Sequence, residues 1–141
     1  QMKYDEERKE IESRFQTIWA ASTYKDVPII FENVPFKIIP GKDYVAIQIL
    51  AAGGEKLEMG NTFFRNEGII QFDIYVREET GSATGKKMAD VISDSFRNVR
   101  FGDAASGYIL TRTPSFRSLG VDDGRFRMVL SVEYQRDVSI A

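Results

Sequence analysis

Ile69-Ile70-Gln71-Phe72-Asp73-Ile74-Tyr75-Val76-Arg77 alternates, with Ile70, Phe72, Ile74 and Val76 on one side and Gln71, Asp73, Tyr75 and Arg77 on the other. A period of two puts successive side chains on opposite faces of an extended chain, so the stretch reads as a strand with one face in a core. Tyr44 to Leu50 repeats the pattern, with Val45, Ile47 and Ile49 opposed to Tyr44, Ala46 and Gln48. Further on, Tyr108 to Phe116 and Arg125 to Gln135 read as two long strands paired as a hairpin through a turn containing Asp122, Asp123 and Gly124. Pro114 has no amide proton to give a neighbour, so the first of these is an edge strand or is bulged there. Shorter strands are expected at Ile29 to Phe31 and Thr62 to Arg65.

Two segments change period. From Lys3 to Ser22, residues Ile11, Phe15, Ile18 and Trp19 fall at i, i+4, i+7 and i+8, which makes one apolar stripe of a helix. Asp5, Glu6 and Glu7 near its start suit the positive end of the helix dipole, and Pro28 bars its continuation. Met88, Ile92 and Phe96, joined by Val91 and Val99, mark a second amphipathic helix reaching about Asn98, with Thr84 as its N-cap. Between Val27 and Pro40, three prolines among apolar residues predict extended chain laid on a hydrophobic surface. Ala51 to Asn61, with Gly53, Gly54 and Gly60 beside Glu55, Lys56 and Glu58, is expected to be a mobile hairpin loop.

The order helix, strands, helix, strands, with hairpin-length links, predicts an α+β fold: a mainly antiparallel β-sheet with two amphipathic helices packed on one face. A length of 141 residues, 43% hydrophobic and 28% charged, fits one domain over residues 1–141. Gln1 ahead of Met2 reads as a cloning scar. No run reaches the roughly 18 apolar residues of a membrane span, and the charged N-terminal helix lacks the apolar core of a signal peptide.

The chain contains no cysteine and no histidine. Disulfides, thiolate chemistry and the commonest general base and zinc ligand are thereby removed, and a serine triad of the usual composition is impossible. Gly81-Ser82-Ala83-Thr84-Gly85-Lys86-Lys87 sits where a phosphate loop would, between strand and helix. It has three residues between its glycines instead of four, and Lys87 stands where a magnesium-binding hydroxyl is needed. Glu7-Arg8-Lys9 superficially matches the end of a nuclease motif, but no strand with a partner aspartate precedes it, and it reads as a solvated helix face. No catalytic residue, cofactor site or metal site is predicted, and the chain is not expected to be an enzyme.

After Lys87 every basic residue is an arginine: Arg97, Arg100, Arg112, Arg117, Arg125, Arg127 and Arg136. Forked guanidinium contacts suit an ion-pair network between subunits or the lining of a nucleic-acid passage, while the neighbouring acids equally allow a plain mixed surface. With a net charge of −2 the molecule has no general attraction to nucleic acid.

A helix ending near Trp19, the phrase Val27-Pro28-Ile29-Ile30-Phe31-Glu32-Asn33-Val34-Pro35-Phe36 and an Arg65-Asn66-Glu67-Gly68 turn into a strand come in a distinctive order. The Gly81 to Gly85 linker, the Met88 to Phe96 helix and a closing aromatic-rich strand complete it. Over nearly the whole chain this order resembles the small tail-completion or tail terminator proteins of long-tailed bacteriophages, similar to the minor tail protein U group. The resemblance implies an α+β subunit without catalysis that forms a ring, a hexamer, on the end of the tail tube, stops its growth and offers a head-joining surface. Its implied partners are further copies of itself, the tail tube protein and a head-tail connector protein, with no membrane and with DNA only as a passage through the ring. Its implied location is the head-proximal end of the virion tail, after synthesis in the bacterial host cytoplasm. Candidate interface residues are Gly53, Gly54, Glu55, Lys56 and Glu58 of the glycine-rich stretch, with Arg112, Arg117, Arg125 and Arg127. The alternatives are another head-tail connector or a general protein-binding module.

Overall fold

A computed structural model describes residues 4–31, 42–56, 63–102, 107–122 and 124–139. In chain order these form α1 (Tyr4–Ala20), β1 (Ile29–Ile30), β2 (Tyr44–Lys56), β3 (Phe63–Arg77) and α2 (Ser82–Phe96). There follow β4 (Arg100–Phe101), β5 (Ile109–Thr111), β6 (Ser115–Asp122) and β7 (Arg125–Ser139). The strands make one sheet in the order β1-β2-β3-β7-β5-β4, with β6 also paired to β7. Every pair is antiparallel except β1 with β2.

The expected α+β class therefore holds, and the alternation that predicted it locates the core. Val45 and Ile47 of β2, Ile70, Phe72, Ile74 and Val76 of β3, and Met128, Leu130 and Val132 of β7 form one buried face. Ile11, Phe15 and Trp19 of α1 and Met88, Ala89, Ile92 and Phe96 of α2 cover it. Phe72 lies at the centre, with ring centroids 5.0 Å from Phe15 and 5.3 Å from Phe96. Fully burying a side chain of this size contributes about 1.5–3 kcal/mol. The two helices are also tied directly: Arg14 donates to the Ser95 carbonyl at 3.1 and 2.8 Å, and its guanidinium lies 5.0 Å from the Phe101 ring centroid. Trp19 Nε1 donates to the Val27 carbonyl at 3.0 Å, which holds the chain leaving α1 against the sheet edge.

Four local expectations are corrected. Ala51 to Lys56 is not loop: β2 runs through Gly53 and Gly54 and pairs with β3 as far as Lys56 with Phe64, after a register shift between Ala51 and Gly53. Residues 57–62, including Glu58, lie outside the described residues. The bulge absorbs the shift, and backbone pairing needs no side chain, so glycines can take part.

Arg65 to Gly68 is not a turn either, because β3 is continuous and matches β7 over 15 residue pairs without a break. Gly68 serves a different purpose. A Cβ there would lie 2.6 Å from Tyr134 Oη and 2.7 Å from the Leu50 carbonyl oxygen, so only glycine lets the tyrosine cross β3 at this point.

Tyr108 to Phe116 is not one strand. It breaks around Pro114 into β5 and β6, both of which pair with β7, on Tyr134 to Arg136 and on Arg125 to Ser131 respectively. Lastly, α2 begins at Ser82 with Gly81 as its N-cap and no capping side chain, so Thr84 lies within the helix and caps nothing.

Candidate functional site

Among the described residues the helices cover one face of the sheet and leave the other without a helix, and the strand register fixes what that open face carries. At one end Arg77 lies opposite Arg125, and the next row is Tyr44, Tyr75 and Arg127. Tyr44 and Tyr75 stack at 4.5 Å, Arg125 lies 5.4 Å from the Tyr44 ring centroid and Arg127 lies 5.7 Å from that of Tyr75. Arg127 also reaches Asp73 at 3.4 Å, and Arg77 pairs with Asp43 at 3.2 Å. Cation–π stacking and these carboxylates hold the arginines flat on the sheet. Of the expected interface arginines, Arg125 and Arg127 are thus half-buried and engaged within the fold, whereas Arg112 and Arg117 are exposed. Arg112 bonds to Gln135 Oε1 at 3.2 Å.

Further along the same face Leu50 and Ile69 sit opposite each other and are both exposed. Beside them Glu67, Ile69, Arg112, Glu133 and Gln135 rim a shallow depression.

The border of the sheet at β6 differs from the rest. Phe116, Leu119 and Val121 are 44%, 43% and 54% exposed, three of the seven large hydrophobic side chains that are exposed among the described residues. β6 pairs with β7 on one side, and among the described residues nothing pairs with its other side. A register shift between Ser118 and Val121 encloses Gly120, whose φ of +80° suits the bulge. Arg117 projects from this strand, and Gly53 to Lys56 lie on β2, on the opposite side of the sheet. The expected interface residues are therefore not gathered into one patch but divided between the two sides.

Sequence reasoning missed a buried polar cluster under the first turn of α1. Glu7 is 1% exposed and Arg136 0%, so Glu7 is not on the solvated helix face expected for it, and Arg136 is neither on a mixed surface nor exposed to line an interface or a passage. Tyr134 donates to Glu7 Oε2 at 2.7 Å, and Arg136 Nη1 lies 3.7 Å from Glu7 Oε1. Burial pushes the Glu7 carboxyl above its ordinary range, while the Tyr134 hydroxyl and the Arg136 charge pull it down. The signal was present: Glu7 stands four residues before Ile11, on the apolar stripe itself.

This cluster holds one carboxylate, and among the described residues no three Asp or Glu side chains are grouped to hold a metal ion. Gly81 to Lys87 forms the entry and first turns of α2, with Lys86 and Lys87 in solvent. The geometry is that of a folded platform with an open face and an apolar border strand.

A family model described as phage tail terminator protein matches residues 8–134. The chain belongs to this phage tail terminator family. Its fold recurs among solved structures: one superposes with a TM-score of 0.75 at 18% identity, covering 96% of each chain. No curated protein matches the sequence. Membership gives this tail terminator a place in the virion tail and contacts with other tail components. Among its described residues no helix is long and apolar enough to cross a membrane.

Proposed function

We propose that the chain closes a ring of identical subunits, a hexamer, on the end of the phage tail tube, stops polymerisation of the tube there and presents the surface to which the head joins. It acts by shape and surface matching, without catalysis or a cofactor. Its partners are its own copies, the tube protein and a head-tail connector, at the head-proximal end of the tail, and DNA meets it only in passing through the ring.

The observation that carries this reading is the border strand β6. A folded chain that leaves Phe116, Leu119 and Val121 on a strand paired, among the described residues, on one side alone displays an aggregation hazard unless another surface covers it. A heterologous contact that closes on itself covers such a strand in every copy and leaves no growing end, which is the property a terminator needs. Arg112 and Arg117 on the β5-β6 side, Gly53, Gly54, Glu55 and Lys56 on the β2 side, and with them Glu58, are the residues proposed to meet neighbouring subunits. Arg125 and Arg127 contribute to the same assembly through the open face.

Electron microscopy of the purified protein, alone and mixed with tail tubes, tests the proposal. Rings seated on tube ends, together with tubes that no longer lengthen when tube protein is added, are expected. A protein that stays monomeric in both conditions rules it out.

A further inference from the structure

We infer that neighbouring subunits join face to border: the cleft between α2 and β6 of one copy receives Leu50 and Ile69 from the open face of the next copy's sheet. This deepens the ring proposed above and rests on it.

Three observations carry the inference. The first is where the exposed apolar side chains lie. Phe116, Leu119 and Val121 belong to β6, where Phe116 is opposite Leu130 and Val121 is opposite Phe126. Directly opposed residues share a face, so Phe116 and Val121 stand on the helix-covered side, beyond β3 and β7, on which α2 packs. Leu50, Ile69 and Leu110 are on the other face, because Ile69 precedes the core residue Ile70, Leu50 is opposite Ile69, and Leu110 follows the buried Ile109. Each copy thus exposes two apolar groups on opposite faces. A two-fold contact between like surfaces covers one group and leaves the other bare, whereas a heterologous contact covers both at once and is the kind from which a ring closes.

The second observation is shape. Between α2 and β6 lies a cleft of about 450 Å³, lined by the buried Ala89 and Leu130 and by Pro114 and Phe116. On the open face Leu50 and Ile69 stand side by side across the β2-β3 pair. Two aliphatic side chains set into an apolar cleft are both removed from water.

The third is charge. Lys86 on the rim of the cleft and Glu67 and Glu133 beside Ile69 are exposed, and among the described residues none of them forms an ion pair. Asp90 on the same rim and Arg112 near Glu133 carry the opposite signs. Seating Ile69 in the cleft lets Lys86 meet the carboxylates and Asp90 meet Arg112, so each surface answers both signs of the other.

Mixing two blocked variants tests the contact. Phe116→Gln puts an amide in the cleft and Ile69→Gln puts one on the open face, each variant being checked for an unchanged thermal melt. Under conditions where the unaltered protein forms rings, each variant alone is expected to sediment as a monomer. Together they are expected to form one-to-one pairs and nothing larger, because only the intact cleft of the Ile69→Gln chain and the intact face of the Phe116→Gln chain can join. Rings or dimers of either variant alone overturn the inference, dimers by pointing to a two-fold contact. Absence of pairs in the mixture, where the unaltered protein forms rings, overturns it and leaves the proposed ring standing.

A second measurement alters exposed residues alone, and serves where a blocked variant fails to fold or where rings form on tube ends only. Lys86→Glu is expected to raise the concentration needed for rings by about tenfold, and Glu67→Lys with Glu133→Lys in the same chain is expected to restore it. Rings indifferent to Lys86→Glu, or lost and not restored, overturn the contact. Failure of the unaltered protein to form rings, even on tube ends, sinks both the contact and the ring.

Discussion

The Tyr134 hydroxyl donates to Glu7 Oε2 at 2.7 Å, joining residues 127 positions apart, and Arg136 completes the cluster from the same face of β7. Taking a carboxylate and a guanidinium out of water costs more than their attraction returns, which is why burial leads the forces on Glu7 and raises its pKa. The cluster anchors the start of α1 to the far end of the sheet.

Its pH dependence has a definite sign. The folded chain holds the Glu7 proton more tightly than the unfolded chain, so this group's contribution to stability is fully present below pH 4.5, the ordinary value, and is lost as pH rises through the folded-state value. Glu7→Gln is expected to remove that part of the slope when urea midpoints are compared between about pH 4 and about pH 8. Glu7→Ala also deprives the buried Tyr134 hydroxyl of its acceptor and should cost about 1–3 kcal/mol.

Gly68→Ala is expected to destabilise by about 1–3 kcal/mol, since its methyl group would press on the Tyr134 ring and on the Leu50 carbonyl. The Leu50 contact is with backbone, so Tyr134→Phe should not rescue it. Equilibrium denaturation of the single and double variants checks both statements.

Phe72→Ala and Trp19→Ala each remove a large side chain from the core and should cost about 3–5 kcal/mol. Trp19→Ala additionally frees the Val27 carbonyl, so local proteolysis just after α1 should rise more in this variant than in Phe72→Ala.

Val121→Lys places a charge on the most exposed apolar position of β6. The melting behaviour should change by no more than about 0.5 kcal/mol, as for an ordinary surface substitution. Light scattering should nevertheless show loss of the ring. A variant that assembles normally argues against β6 as an interface.

How much could be read in advance depended on whether the cause was local. The alternation of Ile69 to Arg77 and the stripe Ile11, Phe15 and Trp19 report their own burial, and the structure places them in the core as expected. Glycines were misread for the same reason. Gly53, Gly54 and Gly68 are turn formers in isolation, but here a neighbouring strand supplies the hydrogen bonds and, at Gly68, a distant tyrosine needs the space. Glu7 reads as solvated and Arg136 as an interface or surface arginine because charge usually goes there, and only the fold reveals that the two are buried 3.7 Å apart. Arg125 and Arg127 were legible as a pair on one face of a strand, but their stacking on Tyr44 and Tyr75 needed the register.

β7 pairs with β3, β5 and β6, and through Tyr134 and Arg136 it also receives α1. A nascent chain therefore lacks the central member of its sheet until Arg125–Ser139 has left the ribosome. Contacts this distant in sequence carry a large loop-closure cost and form slowly. Closure of the sheet waits for that last strand, and a product truncated before it would have no finished border to offer a neighbour.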